Sequence, residues 1–220
     1  MSIRVGVFGA GGRMGSTVCQ AVAADPELEL VAACDPHHAG LDLRTVARVE
    51  GTDLQVAPDA EAFLHAGVDV AVDFTHLDAA RRNLDLLAEH GIHAVVGTTG
   101  FDDADVARWH ERFTRSNCVF APNFAIGAVL MMRFAELAAP WFETAEVVEY
   151  HHDQKVDAPS GTAMLTVERM AAASAEWADD PTRTELAAGA RGAEGPGGIH
   201  VHSLRMRGMV AHQEVLLGTT

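Results

Sequence analysis

Lysine is almost missing from this 220-residue chain: of its 16 basic residues, 15 are Arg and one, Lys155, is Lys. Arg stays charged at any accessible pH and presents a wide planar fork, whereas Lys has a compact head and can give up its proton. A chain that uses Arg nearly everywhere is expected to keep Lys where one of those properties is needed. Positive charge of any kind is outnumbered. Against 31 Asp and Glu the formal net charge is −15, which argues against nucleic acid and acidic membrane surfaces as partners. No apolar run reaches the roughly 20 residues that span a bilayer. The start, Met1-Ser2-Ile3-Arg4-Val5, enters a strand-like pattern without the basic-then-apolar layout of a signal peptide, so a cytoplasmic location is expected. Cysteine is scarce: Cys19, Cys34 and Cys118 stand in apolar contexts without metal or redox spacing and are expected as buried free thiols.

What is present has the texture of a globular enzyme, with 48% hydrophobic residues and no internal repeat or low-complexity tail. The first 125 residues alternate strand-like stretches (3–9, 28–35, 68–75, 92–99, 118–122) with helix-like ones (14–24, 78–90, 103–114). Short apolar strands alternating with helices of 10 to 15 residues predict βαβ units and a parallel sheet. The handedness of the crossovers makes a Rossmann-type doubly wound sheet the default. From residue 126 the pattern changes: a helix over 126–137, a polar strand over 145–152, a helix over 161–173, a Gly-rich loop over 189–198, and strands over 199–207 and 210–217 joined at Arg207-Gly208-Met209. This α+β character predicts a second domain over 126–220, following a first over 1–125.

Strand one runs into Gly9-Ala10-Gly11-Gly12-Arg13-Met14-Gly15, where a helix opens. The glycines at 9, 12 and 15 depart from strict G-x-G-x-x-G but serve the same physics: a tight turn, close backbone approach to a pyrophosphate, and a helix N-terminus aimed at it. The alternative is a glycine-rich turn with no ligand. Asp35 ends strand two, 20 residues after Gly15; an acid there suits the adenosine ribose hydroxyls and repels a 2′-phosphate. Later strands end in Phe74-Thr75-His76, Gly97-Thr98-Thr99-Gly100 and Ala121-Pro122-Asn123-Phe124. Carboxyl ends of strands are where open α/β sheets bind ligands, so these too are candidates for a dinucleotide site.

The segment from Glu149 to Ala163 concentrates chemistry. His151, His152 and the single lysine, Lys155, lie within five residues of each other; Pro159-Ser160-Gly161-Thr162 then opens a helix with Ser160 as N-cap. Free amides at a helix start bind anions, so one stretch offers a proton donor, a cation and a carboxylate cradle. A metal reading of the two histidines lacks further ligands at matching spacing.

The segment resembles the pattern E-x-H-H-x-x-K-x-D-A-P-S-G-T-A of the 4-hydroxy-tetrahydrodipicolinate (dihydrodipicolinate) reductase family, matching every fixed position. The chain is similar to that family, most of all to actinobacterial members, also at Gly9 to Gly15, Val72 to His76, Gly97 to Gly100, Ala121 to Gly127 and Val210 to Val215. The resemblance implies reduction of a cyclic dicarboxylate by NADH or NADPH, with hydride delivered to C4 and the 4-hydroxyl lost as water. It implies His151 as proton donor or acceptor and Lys155 as second proton donor. His152, Lys155, Ser160, Gly161 and Thr162 would hold the substrate carboxylates, and Gly9 to Met14 with Asp35 and the strand-end residues above would hold the cofactor. It also implies a homotetramer joined through the sheet of the second domain. Two departures stand out: Pro36 occupies a place where strongly NADPH-using members often carry a basic residue, and the family usually continues past Gly218-Thr219-Thr220 with a strand and helix that return to the first domain. Two rival readings share the first half of this logic: another two-domain nicotinamide oxidoreductase, acting on a sugar or amino acid, and a dinucleotide sensor without activity. The first does not account for the His-His-Lys cluster, and the second has no use for Lys155.

Overall fold

The computed structural model describes residues 2–121 and 123–220. They form two compact units, one through residue 122 and one from Asn123 to Thr220. In the first, the elements run β1 (Ile3–Phe8), α1 (Arg13–Ala24), β2 (Leu28–Cys34), α2 (Leu43–Ala47), α3 (Glu61–His65), β3 (Val70–Asp73), α4 (Leu77–His90), β4 (His93–Val96), α5 (Asp103–Arg112) and β5 (Cys118–Phe120). The strands make one sheet in the order β2-β1-β3-β4-β5, all parallel.

Side-chain alternation along the strands divides the apolar residues between two faces. Val5, Val7 and Ala33 pack with Cys19 and Val22 of α1 and Leu43 of α2. Phe8, Ala32, Ala71 and Val96 pack with Phe63 of α3, Leu84 and Leu87 of α4 and Trp109 of α5. Both faces are therefore covered, which is why the strands read as near-continuous apolar runs. The strand order reverses between β1 and β3, placing a topological switch point between the turns that follow Phe8 and Asp73. The stretch from 36 to 69, to which the sequence assigned no element before residue 68, holds α2, α3 and two isolated bridges, Cys34 to Ala57 and Asp42 to Gln55. Five-residue helices are too short to show a period.

The second unit contains α6 (Ile126–Ala138), β6 (Thr144–His151), α7 (Gly161–Ala173), β7 (Ala193–Glu194), β8 (His200–Arg205) and β9 (Ala211–Gly218). Its mixed sheet has the order β7-β8-β6-β9. The consecutive strands β8 and β9 do not pair with each other; they flank β6, one parallel and one antiparallel. Their connection passes the carboxyl end of β6, where Met206 N donates to His151 O at 2.9 Å. Within the Gly-rich stretch, expected as loop throughout, Ala193 and Glu194 pair with β8. Val147, Val201 and Val215 face α7, whose Ala163, Val167 and Met170 complete the core with Ala135 of α6. On the opposite face Val148, Tyr150, Leu204 and Leu216 stand among Glu146, His202, His212 and Glu214, as the strand registers require.

Cys19 and Cys34 are buried and Cys118 is half-buried, all as free thiols; burial pushes each up to about 12. Among the described residues no helix is long and apolar enough to cross a membrane.

Candidate active site

In the first unit the turn from β1 into α1 is closed by backbone contacts that leave no room for side chains. Gly9 has φ +75, and a Cβ there would lie 2.7 Å from Phe74 O; a Cβ on Gly15 would lie 1.9 Å from Gly9 O. Gly12 caps α1 without a side chain, and the first turn carries no acidic residue. The leading amides of a 12-residue helix are thus presented with their dipole uncompensated, as an anion cradle requires. Arg13 and Met14 are exposed at this end, whereas Ala10 is buried behind it.

Asp35 terminates β2 beside this loop. Its Oδ2 accepts from Gly11 N at 3.0 Å, its Oδ1 accepts from His37 N at 3.0 Å, and His38 Nδ1 lies 3.2 Å from Oδ1. Burial acts to raise its pKa, but His38 and the amides of His37 and Gly11 outweigh it and hold the carboxyl below its usual range. Gly9, Gly12, Asp35, Phe74, Thr75 and His76 line one cavity of about 530 Å³. Pro58, Asp59, Ala60 and Arg82 line it too; none was a sequence candidate, since residues 58 to 60 arrive through the Cys34–Ala57 bridge and Arg82 through α4.

Fully buried Asp73 ties the neighbouring strand ends together. Its Oδ1 accepts from Thr75 N (3.0 Å), Thr75 Oγ1 (2.7 Å) and Thr98 Oγ1 (2.8 Å), and its Oδ2 from Asn83 Nδ2 (2.8 Å). The Phe74-Thr75-His76 turn is thereby fixed beside Gly97-Thr98-Thr99. The Thr98 hydroxyl is committed to Asp73, while Thr99 is exposed. Ala121 follows β5, Pro122 lies outside the described residues, and Asn123 and Phe124 belong to the second unit. A glycine cradle, a helix start free of acids and an ionised Asp35 beside one cavity fit a dinucleotide.

In the second unit β6 delivers Glu149 and His151 to the face it shares with α7. Glu149 is 0% exposed. Its Oε2 accepts from Arg205 Nη1 at 2.9 Å and contacts His151 Nδ1; its Oε1 accepts from Arg205 Nη2 at 2.9 Å and from Ser160 N at 3.3 Å. Burial alone would raise the Glu149 pKa, yet donors from Arg205, Ser203 and His151 hold it below the ordinary value. Arg205 Nη2 also donates to Asp157 O at 2.6 Å, fixing the loop after β6. Lys155 Nζ donates to both Asp157 oxygens, at 2.7 and 2.8 Å, which lowers the Asp157 pKa. His152 is exposed on the same loop.

The loop ends in a cis Ala158–Pro159 bond, and Ser160 caps α7 by accepting from Ala163 N at 3.2 Å. Thr162 Oγ1 accepts from Asn123 Nδ2 at 3.3 Å. Asn123, placed among the cofactor residues by its sequence position, therefore meets a residue expected to hold a substrate carboxylate. Through Glu149 and Arg205 the histidine, the loop carrying Lys155 and the helix start are linked to one another. The buried Glu149–Arg205 pair at their centre received no role from the sequence, although an acid at an inward position of a strand, two residues before a histidine, was a readable sign.

The family models for the N-terminal and C-terminal parts of dihydrodipicolinate reductase match residues 3–124 and 127–220. The chain is 49% identical to a 4-hydroxy-tetrahydrodipicolinate reductase of Nocardia farcinica, over all of its own length and 82% of the relative's. It is 51% identical to one of Thermobifida fusca, over 99% of itself and 81% of the relative. A solved dipicolinate-bound dihydrodipicolinate reductase from Paenisporosarcina sp. TG-14 superposes with a TM-score of 0.81 at 37% identity, covering all of this chain and 84% of that one. An amine dehydrogenase from Mycobacterium smegmatis, 18% identical with a TM-score of 0.60 over 78% of this chain and 62% of that one, shares the fold. With both halves matched and relatives near half-identical along the whole sequence, the chain belongs to the dihydrodipicolinate reductase family.

Proposed function

We propose that the chain reduces (2S,4S)-4-hydroxy-2,3,4,5-tetrahydrodipicolinate to tetrahydrodipicolinate in the diaminopimelate route to lysine; in support, its relatives in Nocardia farcinica and Thermobifida fusca are named 4-hydroxy-tetrahydrodipicolinate reductases. When bound, NADH or NADPH would supply a hydride for C4, and the 4-hydroxyl would leave with one proton as water. The observation that carries this reading is the folding of residues 149 to 163, which puts a carboxylate-backed imidazole beside a lysine loop and an anion-binding helix start. His151 and Lys155 are the proton-transfer groups: one proton leaves with the 4-hydroxyl as water, and the proton taken from C5 as that water forms is replaced at C5 when hydride adds at C4, so that the net uptake is one proton. His152, Lys155, Ser160, Gly161 and Thr162 hold the two carboxylates, a role consistent with dipicolinate bound to the Paenisporosarcina relative. The test is a coupled assay in which the preceding synthase makes the substrate from pyruvate and aspartate semialdehyde while oxidation of NADH or NADPH is followed. Folded protein that oxidises neither would refute the activity.

On this reading Asp35 pairs with ribose hydroxyls and opposes a 2′-phosphate. NADH is expected to serve well, and NADPH comparably or less well, since Arg13, His37 and His38 can offset the repulsion. An NADPH preference above tenfold, about 1.4 kcal/mol, would overturn that role for Asp35. The enzyme acts as a cytoplasmic homotetramer, assembled through the outward face of the second unit's sheet.

A further inference from the structure

We propose that Glu149, clamped by Arg205, is the positioning residue for His151: it keeps a hydrogen on Nδ1 and leaves Nε2 as the nitrogen that gains and loses the transferable proton. The inference rests on the reading of His151 as the proton-transfer group.

The alternation of β6 sets residues 147, 149 and 151 on the face toward α7. Val147 follows the rule for that face, and Glu149 breaks it while being wholly buried. A buried ion pair of this kind is weak evidence for stability, because apolar residues of similar volume often do as well. The geometry supplies another reason for it. An ionised carboxylate only accepts hydrogen bonds. Oε2 receives Arg205 Nη1 and His151 Nδ1, and Oε1 receives Arg205 Nη2 and Ser160 N. Every protein partner of the carboxylate must therefore be a donor, so Nδ1 carries hydrogen whether the ring is neutral or cationic. Only Nε2 is left to exchange a proton.

Arg205 gives the clamp its reach. It stands directly opposite His151 in the β6–β8 register and extends back to Glu149. Its two-pronged pairing compensates the carboxylate's charge, so Glu149 acts on ring orientation and tautomer. Through Arg205 Nη2 to Asp157 O, at 2.6 Å, the pair also sets the loop carrying Lys155. Through Ser160 N it sets the start of α7. One buried carboxylate thus fixes the imidazole, the lysine loop and the anion-binding amides relative to one another.

The test uses full-length protein with ¹⁵N-labelled histidine, the His151 ring signals being assigned by their loss in His151→Asn. Neutral His151 is expected to carry its hydrogen on Nδ1; neutral His151 with the hydrogen on Nε2 overturns the proposal without any Glu149 variant being needed. In kinetics, Glu149→Gln keeps the shape but offers one acceptor oxygen for which Arg205 and His151 must compete. It is expected to lower kcat roughly 10²–10⁴-fold, as when the acid behind a catalytic histidine is made an amide, with KM changed less than about threefold. A near-normal kcat in folded Glu149→Gln overturns the positioning role. A near-normal kcat in His151→Ala overturns instead the proton-transfer reading beneath it, and the tautomer measurement still decides what Glu149 does.

Discussion

His151 and Thr162 lie on the same unit but are proposed to serve different steps, so their losses should separate in kinetics. In the proposed mechanism His151 moves a proton, a contribution of about 10²–10⁴ in rate. His151→Ala is expected to lower kcat by two or more orders of magnitude with a modest change in KM. On the proposed reading Thr162 holds a carboxylate in ground and transition state alike; its hydroxyl is oriented by Asn123 Nδ2. Thr162→Val should therefore mainly raise KM. Lys155 is held by both oxygens of Asp157. Lys155→Arg retains the charge but cannot readily yield a proton, and its fork is too wide for a point contact. Steady-state assays should find it inactive; near-normal kcat would show that positive charge alone suffices. Glu149 adds a pH dependence to stability. Its carboxyl binds protons less readily folded than unfolded, so the stability it confers is complete above the unfolded value of about 4.3 and is lost as pH falls through the lower folded value. Melting temperature should drop as the solution is acidified below about pH 4, and Glu149→Gln should make that drop shallower.

At the scale of elements, the turn between β1 and α1 offers the sharpest test, because backbone there meets backbone. A methyl at position 15 would lie 1.9 Å from Gly9 O, and no side chain can rotate away to admit it. Gly15→Ala should destabilise the fold by about 1–3 kcal/mol, the usual cost of overpacking, and weaken NADH binding, read by thermal melting and fluorescence titration. Wild-type binding in that variant would mean that the loop does not carry the pyrophosphate. Elements of this kind were legible in the sequence to within a few residues. Apolar runs of 4 to 8 residues and helices of three or four turns carry their own period, and the glycines mark where the backbone must bend tightly. The five-residue helices α2 and α3 carry no period, and β7 is two residues of a Gly-rich stretch whose strand character exists only against β8.

At the scale of the whole molecule, the proposed tetramer assigns assembly to the outward face of the second unit's sheet. Leu216 is half-exposed there, with Val148, Tyr150 and Leu204 beside it. Light scattering of the wild type should report a tetramer at micromolar concentration. Leu204→Asp combined with Leu216→Asp should yield smaller species with an intact circular dichroism spectrum, since neither residue joins the core against α7. A tetramer unaffected by both charges would place the interface elsewhere. The net charge of −15 bears on the same scale: to bind the proposed dianion, so acidic a molecule must rely on a few local donors, which makes each of them individually testable.

Local sequence was enough to set the order and kind of most elements, the glycine turn with Asp35 after it, and the grouping along the chain of His151, His152, Lys155 and Ser160 to Thr162. All of these are set by residues near one another in the chain, where periodicity, caps and turn chemistry act. Tertiary structure decided what depends on distant segments meeting. Asp73 joins Thr98 only because β3 pairs with β4, and Asp59 and Ala60 reach the first unit's cavity only through a bridge at Ala57. Arg205, 56 residues beyond Glu149, meets it because β8 lies parallel to β6. Strand pairing, which brings such partners within hydrogen-bond distance, is fixed by the burial of whole sheet faces and leaves no local trace in the residues it unites.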